Sequence, residues 1–122
     1  ASLIKYTINS FLSTKVSFFN ELHNLFTNSG SKDSWENFTR MISFDKRIGD
    51  SHMQVPGHDG RLGFGGACLP KDTSALLKYA DNLDVDLSLI KEAMRTNNKI
   101  RSSYKKQTKR EEEQNITFHK ED

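Results

Sequence analysis

From Ser2 to Ser29 the chain contains neither glycine nor proline, and Gly30 is the first of either. A break in regular structure normally needs such residues, so this stretch reads as one continuous element. Within it Ile4, Ile8, Phe11, Leu12, Phe18, Phe19, Leu22, Leu25 and Phe26 recur at three- and four-residue steps. That is the period of an α-helix with an apolar stripe, not the alternation of a strand. Asn28-Ser29-Gly30-Ser31 supplies the stop, with Gly30 as a left-handed cap. The stripe is broad and aromatic. Most of it reads as core and part of it as a subunit interface, because a helix this long overhangs a small domain.

Three shorter helices follow. Residues 33–44 place Trp35, Phe38, Met41 and Ile42 on one face, with Asp33 or Ser34 as the cap. Residues 50–67 read as a loop, punctuated by Pro56, Gly57, Gly60, Gly63, Gly65 and Gly66. Residues 72–82 and 87–104 read as helices joined by the turn Asn82-Leu83-Asp84-Val85-Asp86. The fold class is therefore all-α, built on the long N-terminal helix. From Lys105 to Gln114 no apolar residue occurs, and residues 105–122 read as a charged, mobile tail after a helical domain over 1–104.

The formal net charge of +2 is too small to argue for nucleic acid. No apolar run approaches the length of a membrane helix. The single cysteine cannot form an internal disulfide, which favours a reducing compartment and a cytoplasmic location. His52, His58 and Asp59 match no standard zinc spacing, so no metal site is expected.

That cysteine lies in the stretch Gly63-Phe64-Gly65-Gly66-Ala67-Cys68-Leu69-Pro70-Lys71-Asp72. The glycines leave no side chain to block a ligand. A thiol just after them can be held against a bound molecule, and Asp72 can open the next helix. The plainer reading is a tight loop holding a buried cysteine, and composition alone favours it. Lys5 and Asn9 lie one turn apart on the first helix, so they share a face.

The literal string, however, resembles the active-site cysteine motif of the UDP-glucose/GDP-mannose dehydrogenase family. The stretch from Lys5 to Glu21, which opens Lys5-Tyr6-Thr7-Ile8-Asn9, resembles a second motif of that family, and Asp45-Lys46-Arg47-Ile48-Gly49 a third. All three occur in the family's order, and the resemblance covers residues 2–103. It implies the central helical dimerisation domain of a nucleotide-sugar 6-dehydrogenase, an NAD-dependent enzyme that oxidises a sugar C6 alcohol to a carboxylate. By the same resemblance Cys68 is the nucleophile, Lys5 and Asn9 are donors to the C6 oxygen, and Asp72 handles water. Arg47 reaches a sugar nucleotide in the neighbouring subunit. Gly63, Phe64, Gly65 and Gly66 bind substrate through backbone N–H groups, and Lys71 faces the cofactor or substrate phosphates.

No strand followed by a Gly-x-Gly-x-x-Gly turn is present, so NAD is expected to bind mainly to an upstream domain. The 122 residues alone are expected to be inactive. Expected partners are a nucleotide sugar and a second copy, joined through the long helix. The sugar nucleotide is left open among UDP-glucose, GDP-mannose and N-acetylated UDP-sugars. The competing reading is a non-catalytic helical dimerisation module, and a metal-binding helical protein ranks last.

Overall fold

The computed structural model describes residues 2–104 and 106–119. It contains five helices: α1 (Leu3–Asn28), α2 (Trp35–Ser43), α3 (Cys68–Asn82), α4 (Ser88–Arg101) and α5 (Lys109–Glu113). No strand occurs among the described residues, so the all-α expectation holds. Of the stretch expected as a tail, Lys105 and residues 120–122 lie outside the described residues.

Local chemistry accounts for most of the boundaries. Ser2 caps α1 by accepting from the Ile4 N–H at 3.1 Å. Gly30 ends it at φ +76°, a left-handed position that favours glycine. Ser34 caps α2 by accepting from the Asn37 N–H at 3.0 Å.

The start of α3 differs from expectation. The helix was expected from Asp72 onward but begins at Cys68. Pro70 fits within the first turn, where the N–H groups have no intrahelical partner anyway. Asp72 is thus one turn inside the helix and buried, not a cap.

Two packing regions result. In one, Phe19 of α1, Trp35 of α2, and Met53 and Val55 of the following loop form a buried cluster, flanked by Leu22, Phe26, Phe38 and Ile42. Trp35 meets Phe19 and Phe26 edge-on, at centroid distances of 6.4 and 5.6 Å. Its indole N–H donates to the Met53 carbonyl at 2.9 Å, so the loop is tied to the ring that it covers. Trp35→Ala removes both the packing and the tie. It is expected to cost about 3–5 kcal/mol, read as a fall in the urea or thermal unfolding midpoint.

In the other region α1 packs against α3 and α4. Small hydroxyl residues meet there: Ser13 of α1 and Thr73 of α3 are both buried at the contact. The Ser13 and Thr73 hydroxyls share a 2.7 Å hydrogen bond, and Ser13 Oγ also donates to Asn9 O at 2.9 Å. Small hydroxyl residues let α1 and α3 approach closely, and this sets the distance between the side chains that the two helices carry toward one another.

Candidate functional site

Lys5 and Asn9 project from α1 toward α3, where Asp72 is only 4% exposed. The Asn9 amide donates to Asp72 Oδ2 at 2.6 Å. Lys5 Nζ stands 3.8 Å from the same oxygen, with most of its side chain in solvent. Asp72 therefore orients one neutral donor and attracts one cation at a single atom. Cys68 lies four residues before Asp72 on α3, so both belong to one face of that helix. The thiol is free and exposed at the first helical position. The reading of a buried cysteine inside a loop is therefore replaced: Cys68 opens a helix and faces solvent.

The structure thus brings Lys5, Asn9 and Asp72 together beside the helix start that carries Cys68. Lys71 is exposed on the same turn. Arg47 stands apart from this group. Its guanidinium binds Asp45, with Nε to Oδ1 at 3.0 Å and Nη2 to Oδ2 at 2.7 Å. That bond raises the Arg47 pKa and lowers that of Asp45. The Arg47 side chain is 89% exposed.

The glycine stretch is held by side chains from three other elements. The Gly63 N–H donates to Asn20 Oδ1 of α1 at 2.9 Å. Asn97 of α4 takes the Phe64 N–H at 2.7 Å and donates back to the Phe64 carbonyl at 2.8 Å. Arg101 Nη2 donates to the Gly63 carbonyl at 3.1 Å. Glu111 of α5 accepts from the Gly66 N–H at 3.0 Å. Three backbone donors expected to face a ligand therefore already have partners within the chain, so in this arrangement the loop meets a ligand through its other atoms.

Those partners also explain two of the glycines. A Cβ on Gly63 would collide with the Asn97 side chain, and one on Gly65 with Glu111 and Arg101. Gly63 additionally sits at φ +77°.

One face of the loop borders an open cavity of about 500 Å³, lined by His52, His58, Asp59, Gly63–Gly66, Leu69 and Arg101 among others. Neither Cys68 nor the Lys5–Asn9–Asp72 group lines it; the two regions adjoin through the loop and the first turn of α3. Burial works to raise the Asp59 pKa, but the Arg101 hydrogen bond, the Arg61 N–H and both positive charges hold it below the usual value. Burial, with Lys15 and His58 nearby, lowers the pKa of His52. Among the described residues no three His, Cys, Asp or Glu side chains are grouped to hold a metal, and no helix is long and apolar enough to cross a membrane.

Reading by motif gave Asn20, Asn97, Arg101 and Glu111 no chemical role. Asn20 and Asn97 are polar residues inside helices and carry no signal of their own. Glu111 had one: Thr108-Lys109-Arg110-Glu111 has the Ser/Thr-x-x-Glu pattern of a capping box, and the box forms.

The chain is similar in sequence to known proteins over most of its length. Residues 1–99 match the UDP-glucose/GDP-mannose dehydrogenase family, central domain. The chain is 39% identical over 98 residues to UDP-glucose 6-dehydrogenase YwqF of Bacillus subtilis (strain 168), covering 80% of this chain and 21% of that protein. It is 38% identical over 101 residues to UDP-glucose 6-dehydrogenase TuaD of the same strain, covering 83% of this chain and 20% of that one. A UDP-glucose 6-dehydrogenase of Rickettsia bellii (strain RML369-C) is 39% identical over 97 residues, with 80% and 21% covered. The chain spans about a fifth of the length of these relatives. On the strength of the family match over residues 1–99, which include the Lys5–Asn9–Asp72 cluster and Cys68, this chain belongs to the UDP-glucose/GDP-mannose dehydrogenase family, as its central domain.

Proposed function

We propose that the chain is the central part of an NAD-dependent nucleotide-sugar 6-dehydrogenase that oxidises a sugar C6 alcohol to a carboxylate, with UDP-glucose the first substrate to test. The observation that carries this reading is the convergence of Lys5 and Asn9 on one oxygen of buried Asp72, beside the exposed thiol of Cys68. The names of the relatives support the substrate class.

In this reading the Cys68 thiolate adds to the aldehyde carbon, and the carbonyl electron pair moves onto oxygen. Lys5 and the second N–H of Asn9 stabilise that oxyanion, already aimed by Asp72. Two hydrides must leave carbon, one from the C6 alcohol to give the aldehyde and one from the Cys68 adduct to give the thioester, and NAD, when bound, would supply the acceptor for both. The described residues contain no strand and so no dinucleotide-binding unit; Lys71 is the one residue here assigned toward the cofactor or the phosphates. Water then attacks the thioester with Asp72 orienting it, the sulfur leaves as thiolate, and the carboxylate is released. The test is NADH formation by the natural protein that carries this chain, with UDP-glucose, GDP-mannose and an N-acetylated UDP-sugar in parallel. One of them should be turned over, and the 122 residues alone should turn over none.

Assembly is part of the proposal. Ile4, Phe11, Phe18 and Leu25 are seven residues apart along α1, and each is more than half exposed in the single chain. Side chains at that spacing share one helix face. A second copy packed across a two-fold axis would cover them, and the exposed Arg47 would reach the neighbouring site by giving up its bond to Asp45. Burying a phenylalanine contributes about 1.5–3 kcal/mol, counted twice in such an interface. Phe18→Glu should thus weaken association roughly a hundred- to ten-thousandfold, measured by light scattering over a dilution series. The alternative, a dimerisation module without catalysis, shares this stripe. It gains if substrate gives Cys68 no protection from alkylation.

A further inference from the structure

We propose that α5 is a strap on the catalytic loop, and that Glu111 is a positioning residue that sets the turn delivering Cys68. Although it lies in a stretch of charged residues, Glu111 is 1% exposed. Its two carboxylate oxygens are divided between two tasks. Oε1 accepts from the Thr108 N–H at 3.0 Å and closes the capping box of α5. Oε2 accepts from the Gly66 N–H at 3.0 Å, two residues before Cys68, and stands 3.4 Å from Arg101 Nη1. Arg101 in turn binds Asp59 at 2.7 Å and the Gly63 carbonyl at 3.1 Å.

A helix of five residues does not persist on its own, because nucleation costs more than so few hydrogen bonds return. One side chain therefore couples the ordering of α5 to the shape of the loop. The loop is built for it: Gly65 has no room for a Cβ, and the atoms in the way belong to Glu111 and Arg101. Further along, the Ile116 N–H donates to the Glu111 carbonyl at 2.8 Å, which turns the chain back after the helix. Glu111 touches no reacting atom. It acts through the Gly66 backbone on where the sulfur stands, and a nucleophile misplaced by about 1 Å can lose roughly a hundredfold in rate.

Only the kinetic arm of the test rests on the dehydrogenase reading. In the natural protein, Glu111→Ala and Glu111→Gln are compared with wild type and with Glu112→Gln, a change at the exposed neighbouring carboxylate. Amide hydrogen exchange at Gly66 should accelerate at least tenfold in Glu111→Ala and less in Glu111→Gln, whose amide oxygen can still accept. The rate of Cys68 alkylation should shift in the same order. The kcat should fall about ten- to a hundredfold while KM for the sugar nucleotide changes less than threefold, a split that general loosening of the fold would not produce. Glu112→Gln should match wild type. Unchanged Gly66 exchange and unchanged Cys68 alkylation in both Glu111 variants would overturn the strap, whatever the activity. Should Glu111→Ala fail to fold, the Gln variant decides by the same readouts. A wild-type protein that oxidises no sugar nucleotide, yet whose Gly66 exchange responds to Glu111→Ala, would overturn the dehydrogenase reading and leave the strap standing.

Discussion

Replacing Cys68 with serine in the natural protein is expected to lower release of sugar acid on the order of a thousandfold or more, the scale of loss when a covalent nucleophile is removed. The motivation is the exposed thiol at the first residue of α3, beside the Lys5–Asn9–Asp72 group. A hydroxyl is close in size but is scarcely ionised at neutral pH, so it adds poorly to an aldehyde. Binding of the sugar nucleotide needs no bond to sulfur and should persist. Turnover should stall at the aldehyde or at a slowly hydrolysed ester, which mass spectrometry of the quenched reaction distinguishes. Sugar acid released at the wild-type rate would mean that Cys68 does no covalent work.

Lys5→Ala is expected to slow the same reaction by about a hundred- to a thousandfold, as does removal of one preorganised oxyanion donor. Its ammonium stands 3.8 Å from Asp72 and projects into solvent, free to meet a developing negative charge. Asn9→Ala should act in the same direction and carry an added cost: it takes from buried Asp72 a hydrogen bond of 2.6 Å. Combined with Cys68→Ser, neither loss should add in full, because all three residues act on one intermediate. Steady-state kcat for the single and double variants checks this. A Lys5→Ala enzyme within threefold of wild type would remove Lys5 from the oxyanion site.

How much could be read in advance varies with the kind of signal. The long helix was legible because its apolar residues keep one period through 26 residues, and both ends carry cap residues. Lys5, Asn9 and Asp72 could be named from motifs, but not their convergence on one carboxylate oxygen. That depends on how closely α1 and α3 approach, which buried Ser13 and Thr73 govern from positions that resemble any polar helix residue. Asp72 was expected to open the third helix as a capping carboxylate, whereas the helix begins at Cys68 and takes Pro70 into its first turn, which accepts proline. The charged run after Lys105 hid Glu111 because composition reports averages. Burial of one carboxylate is decided by a few partners, here Arg101, Gly66 and Thr108.

The side-chain ties on the loop have a consequence for the order in which the protein is made. Phe64 waits for Asn97, which lies 33 positions later, and Gly66 for Glu111, 45 positions later. At about 5–20 residues per second, a ribosome takes roughly 2–9 s to add those 45 residues. Over that interval the Gly66 amide has no side-chain partner, and the glycine keeps the wide range of backbone conformations open to it. The aromatic cluster around Trp35, complete by Val55, can form long before. Synthesis thus yields a scaffold first and a shaped thiol site last, so that during translation Cys68 rides on a backbone that does not yet hold it in place.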